Sequence, residues 1–198
     1  KQVGRKFMYS QVDREERSRE LSEALNLLCL ARVTHQVRHS HGNGVPLGAE
    51  SDDRTFKVLF LDVGLLCRSC GLRLLDVENG QDLTLVNNGA VCEQLVGQHL
   101  LMSGAFYDEP DLHCWMRDKT NSSAEVDYLI AIGPEVVPVE VKAGATGRLK
   151  SLHLFLSEKD GYMHVHSVDM SATKPSARAL TSGKWEVTDA RLSSDRRL

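Results

Sequence analysis

The stretch "AEVDYLIAIGPEVVPVEVK", residues 124–142, constrains the fold more than any other part of the chain. It reads as two strands reversing at Gly133-Pro134, the first with Val, Tyr and Ile and the second rich in Val. If the two turn residues form the loop, Ile132 faces Glu135 and Asp127 lies opposite Glu140. Alternation then puts Val126, Tyr128 and Ile130 on one face with Val137, Val139 and Val141, which makes a core face. The other face carries Asp127, Glu140 and Lys142, with Glu125 at the edge of the same patch. Two carboxylates held about 5 Å apart repel by roughly 3 kcal/mol at an effective dielectric near 20. A lysine, a metal ion or both must offset that cost. The plain alternative is a solvated sheet face with a cross-strand Glu–Lys pair, because a lone D…E-x-K is short and common.

The pattern around this hairpin is α/β. Residues 13–30 carry an apolar stripe at Leu21, Ala24, Leu25 and Leu28, which predicts an amphipathic helix. "VTHQVRH" (33–39) and "DDRTFKVLFLDVG" (52–64) read as strands around a turn-rich "SHGNGVPLG", with Phe56, Val58 and Phe60 on one side. Helix plus two-stranded wing matches the tail of a winged helix, and a soft boundary falls around residues 50–60. "LLCRSCGLRLL" (65–75) predicts a short helix, and Asp62 suits a turn or helix cap before it. Residues 77–89 look loop-like, and "AVCEQLVGQHLLMSG" (90–104) predicts a second long helix. From there the order helix, three strands, helix, strand suits an antiparallel start followed by a crossover to a parallel strand at 162–170. The polar residues 171–198 carry no readable pattern and are expected to be partly disordered. Three segments result: a helix and wing at 1–55, an α/β domain at 56–170 and a tail at 171–198.

Glu93 shares a helical stripe with Val96, Gly97 and Leu100, so it leans toward the packed side and needs a partner there. Gly97 on that stripe permits close approach of a neighbouring element. A third acid beside Asp127 and Glu140 would supply hard oxygen ligands for Mg²⁺ or Mn²⁺, and Lys142 would assist an activated water. The bland reading of Glu93 is a boundary residue reaching solvent.

Other features are weaker. Cys67 and Cys70 have C-x-x-C spacing, but no second paired spacing completes a zinc site. His39 with His41, and His164 with His166, lack a third ligand. Arg117, Lys119, Lys142, Arg148 and Lys150 lie near the hairpin in sequence, where solvated charges are the default. A formal charge of −3 gives no global basic field, so nucleic-acid binding would need a local groove. No apolar run approaches about 20 residues, which argues against a membrane span. Five cysteines, an odd count beside an ample core, suggest reduced thiols in a cytoplasm. No G-x-x-x-x-G-K-[ST] is present, so nucleotide hydrolysis is not assigned to these residues. A start at Lys1 inside a patterned segment suggests a piece of a longer polypeptide.

Glu on a helix, Asp on a strand and Glu-x-Lys on the next resembles the PD-(D/E)xK nuclease superfamily. The flanking blocks "FKVLFLDVGLL" (56–66), "NGAVCEQLVGQHLL" (88–101), "CWMRDKTNSSAEVDYLIA" (114–131) and "VPVEVKAG…LKSLHLFL" (137–156) resemble the C-terminal domain of unknown function that follows an AAA-type ATPase in many bacterial and archaeal proteins. The likeness runs from about residue 5 to about 168. It departs at His99, where those proteins usually have a second Glu, and over 171–198. The resemblance implies a restriction-endonuclease-like mixed sheet flanked by helices, preceded by a partial winged-helix segment. It implies Glu93, Asp127, Glu140 and Lys142 as nuclease-type positions, with Mg²⁺ or Mn²⁺ on Glu93, Asp127 and Glu140. It further implies ATP binding only in an upstream ATPase domain, which would be the partner, and DNA as substrate. The competing expectation is a catalytically silent module that binds nucleic acid or protein and regulates the ATPase. Oligomeric state stays open.

Overall fold

The structure, a computed structural model, describes residues 2–71, 85–104, 111–117, 124–142 and 150–159, and the strands 166–168 and 177–179. Helix α1 spans Ser18–Leu30, α2 Val63–Ser69, α3 Leu85–Met102 and α4 Lys150–Glu158. Strands β1 (Thr34–Ser40), β2 (Ser51–Phe60), β3 (His113–Met116), β4 (Glu125–Ile132) and β5 (Glu135–Val139) form one five-stranded sheet. The short strands β6 (His166–Val168) and β7 (Ala177–Ala179) pair separately. The chain divides into a unit of residues 1–148, which holds the five-stranded sheet, and a unit of residues 149–198, which holds α4, β6 and β7.

The sheet is mixed, in the order β2-β1-β3-β4-β5; β1 and β3 run parallel and the other neighbours antiparallel. The hairpin expected as a wing is therefore two of the five strands of this sheet. Its β1 carries the apolar Val37 over the same core as Leu59, Cys114 and Tyr128, and a boundary at residue 55 would cut β2 in two. The expected parallel strand at 162–170 is observed only as β6, paired antiparallel with β7. The parallel pair is supplied instead by β1 with β3, for which α2 and α3 give the long crossover such a pair requires. Strand β7 also gives residues 171–198 one ordered element. Helix α3 starts at residue 85, inside the stretch expected as loop.

The β4–β5 hairpin has the register read from sequence: Ile132 faces Glu135, Leu129 faces Pro138 and Tyr128 faces Val139. Between β3 and β4 the ladder slips. His113 pairs with Leu129 but Trp115 with Val126, so Asp127 and Tyr128 together oppose Cys114. This bulge breaks strict alternation. It brings Asp127 to the side of the sheet that Tyr128 occupies, while Val126, expected beside Tyr128, is buried outside the cluster of Val37, Leu59, Leu112, Cys114 and Tyr128.

Helix α3 covers that cluster with Val96, Leu100 and Leu101. Gln94 fixes its height by pairing with both backbone groups of Phe60: its Nε2 donates to the carbonyl at 2.9 Å and its Oε1 accepts from the N–H at 3.0 Å. Gln98 Oε1 accepts from Val63 N at 2.9 Å, and Asp62 caps α2 by accepting from Leu65 N, as its position suggested. Gly97 sits where α3 comes closest. A Cβ there would lie 2.7 Å from Leu59 Cδ1 and closer still to the Tyr128 hydroxyl, which donates to the Glu93 carbonyl at 2.7 Å.

Gly97→Ala is thus expected to destabilise the protein despite a helix-propensity gain of up to about 1 kcal/mol. Overpacking costs about 1–3 kcal/mol and displaces a buried hydroxyl from its acceptor. Denaturant unfolding of the variant against the parent measures the net loss.

Candidate metal centre

The bulge and the close approach of α3 converge on one lysine. Lys57, on β2, is 1% exposed. By alternation it shares the Thr55 and Leu59 side of its strand, which faces α3. Its ammonium donates to Glu93 Oε1 of α3 at 2.7 Å, reaches Asp127 Oδ1 of β4 at 3.5 Å and is in contact with Glu125 Oε1 of β4. It also stands 6.0 Å from the centre of the Tyr128 ring. Oxygens of Glu93, Glu125 and Asp127 all lie within 4.8 Å of one another.

Three carboxylates share one cation, and the protonation equilibria follow from that ratio. Burial works to lower the Lys57 ammonium, but Glu93, Glu125 and Asp127 together outweigh it and hold the group charged, well above its ordinary range. Each acid has only part of one cation and repels its neighbours. Burial raises the Glu93 carboxyl, Lys57 offsets this in part and Asp127 adds to it. The cluster retains a formal charge of −2 with all four groups ionised.

Of the residues singled out from sequence, the structure brings Glu93 and Asp127 together. Asp127 uses its second oxygen to accept from Val141 N at 2.8 Å, which ties the start of β4 to the chain leaving β5. Glu140 and Lys142 stand beside them as a pair of their own, ammonium against carboxylate. The Glu140 side chain is 6% exposed, and its Oε2 is buried with no hydrogen-bond partner among the described residues. Burial raises its carboxyl, Lys142 opposes the rise and Asp127 reinforces it. The third oxygen donor close to Glu93 and Asp127 is Glu125, not Glu140. Lys57 was not anticipated at all. Its signal was a lysine in the middle of "TFKVLF", an apolar strand in which a buried amine must find acids.

The weaker candidates lie apart from this cluster or outside the described residues. Cys67 is buried and its thiol is pushed up by burial, with Cys70 nearby adding to this; neither belongs to a ligand group of three among the described residues. His39 is buried and its Nδ1 accepts from Met116 N at 3.1 Å, while its ring meets that of His41 edge-on at 5.1 Å. Lys119, Arg148 and His164, and the His166 side chain, lie outside the described residues.

Residues 88–182 match the family described as a domain of unknown function (DUF4143), and residues 1–76 match another domain of unknown function (DUF8612). The first of these domains occurs C-terminal to AAA-type ATPases. No curated protein and no solved structure matches the chain. The two matched regions share one sheet: β1 and β2 come from residues 1–76, β3–β5 from residues 88–182. Lys57 and its three carboxylates span the same division. No helix among the described residues is long and apolar enough to cross a membrane.

Lys57→Met leaves the carboxylates without their cation and is expected to cost about 3–5 kcal/mol at neutral pH. The pH dependence has a definite sign. Glu93 and Glu140 are raised above their ordinary value of 4.5, so the native state holds extra protons just above it. Their contribution to stability therefore grows as pH falls from neutral toward that value. Thermal unfolding across this window should show Lys57→Met regaining more stability than the parent.

Proposed function

We propose that this chain is a nuclease-like module operating beside an AAA-type ATPase, and that it holds a divalent cation, Mg²⁺ or Mn²⁺, for hydrolysis of DNA phosphodiesters. The observation that carries the reading is the convergence of Glu93, Glu125 and Asp127 oxygens within 4.8 Å, with one lysine among them. Hard oxygen donors in this number suit a cation that keeps part of its water shell. A formal charge of −2 and the orphaned Glu140 Oε2 alongside supply the demand for further positive charge.

In this reading Glu93, Glu125 and Asp127 bind the cation, and Glu140 bears on its water shell. A bound divalent cation supplies a more acidic water and withdraws charge from the scissile phosphate. Lys142, the more exposed of the two site lysines, stabilises charge developing on the phosphate oxygens. Lys57 yields the centre of the cluster and remains as the buried counter-charge. A restriction-endonuclease-like core accommodates this arrangement, since the carboxylates come from a helix and a strand of one mixed sheet.

Lys57 also supports a second reading. An ammonium in contact with all three acids is a protein-borne substitute for the ion, which suits a catalytically silent module that binds DNA or protein and regulates the ATPase. The two readings separate on one preparation. Metal-dependent nicking of supercoiled DNA that disappears in Asp127→Ala supports the first. Absence of cleavage, with no Mn²⁺-induced rise in melting temperature, favours the second; cleavage persisting in Asp127→Ala removes the assignment.

A further inference from the structure

The segment 2–8 forms a closed loop against the carboxylate cluster. The Gln2 side chain pairs with the backbone of Met8 in both directions, Nε2 to the carbonyl at 2.8 Å and Met8 N to Oε1 at 2.5 Å. The tip turns at Gly4, whose φ of +64° is the left-handed conformation that glycine adopts without strain. That tip rests on Glu93: a Cβ on Gly4 would lie 2.5 Å from Oε2, 3.3 Å from Cδ and 3.6 Å from Oε1. The same carboxylate meets Lys57 through its Oε1. Backbone, with no side chain, thus covers the outer side of the helix-borne acid.

The loop is seated by few contacts. Phe7 N donates to Phe56 O at 2.8 Å, the two rings stack at 5.5 Å, and Lys6 Nζ donates to Thr55 Oγ1 at 3.2 Å. On the β2 face opposite Lys57, Gln2, Val3 and Phe7 line a cleft of about 350 Å³ together with Val58 and Phe60. A segment seated, among the described residues, by one backbone bond, one ring stack and one lysine–hydroxyl bond belongs to the low-stability end of a fold.

We infer that loop 2–8 is a lid on the carboxylate cluster: seated, its Gly4 tip closes off the Glu93 carboxylate; lifted, it admits a divalent cation and a phosphodiester. This rests on the cation reading proposed above. A Cβ at Gly4 prevents seating, both by collision with Oε2 and by strain at positive φ, and Phe7→Ala removes the stack that holds the loop. Neither residue contacts a cation in this scheme.

The test is Mn²⁺ binding to the whole chain, followed by water-proton relaxation, with amide exchange at Phe7 reporting the lid. In Gly4→Val and Phe7→Ala the amides around the seat should lose protection and Mn²⁺ affinity should rise roughly tenfold, as for a lid open about a tenth of the time in the parent. Lost protection with unchanged Mn²⁺ affinity overturns the lid and leaves the cation site standing. A Phe7 amide that stays protected in Gly4→Val also overturns it, because such a tip does not bear on Glu93. Binding absent from the parent, both variants and a Glu125→Gln control alike removes the cation reading and the lid with it.

Discussion

The ammonium of Lys57 is the constraint around which this fold is arranged. It is the cation shared by an acid on α3 and two acids on β4, and it arrives from β2, at the far edge of the sheet. Burying four ionisable groups together is costly unless their charges and hydrogen-bonding capacity are matched. Several features serve that match. The bulge at Asp127 and Tyr128 brings two carboxylates to one side, Gly97 lets α3 descend onto the sheet, and the Tyr128 hydroxyl fastens the helix backbone at the very residue that supplies the third acid. A change in any of them moves an acid relative to the amine.

The same arrangement explains why the site has two readings. Three carboxylates exceed the charge of one lysine, and a fourth acid beside them is only half satisfied by Lys142. The excess favours a further cation. The lysine already present disfavours one, since a metal must share or displace its place among the oxygens. Both terms are strengthened by the low dielectric of a buried site, and their balance decides between the two readings.

Much of this was legible in the sequence where local rules govern. The hairpin register about Gly133-Pro134, the inward lean of Glu93 and the need for a glycine on its stripe follow from periodicity and turn chemistry. What was not legible is non-local. The β1–β2 hairpin looked like a wing because nothing near it in sequence announces that β1 will pair with β3, more than 70 residues on. The bulge depends on the strand opposite, so alternation alone places Val126 with Tyr128 and Glu125 at the edge. The partners of Lys57 lie on two other elements, and only its position inside an apolar strand points to them.

Energetic coupling between Lys57 and the acids it joins is measured by a double-mutant cycle of Lys57→Met with Glu93→Gln. The double variant is expected to be more stable than the sum of the single losses, with a coupling of about 1–3 kcal/mol at neutral pH, since Lys57→Met strands the Glu93 charge only while Glu93 is present. Single losses that add to within about 0.5 kcal/mol would contradict it, and would mean that α3 and the sheet are held together without this cluster.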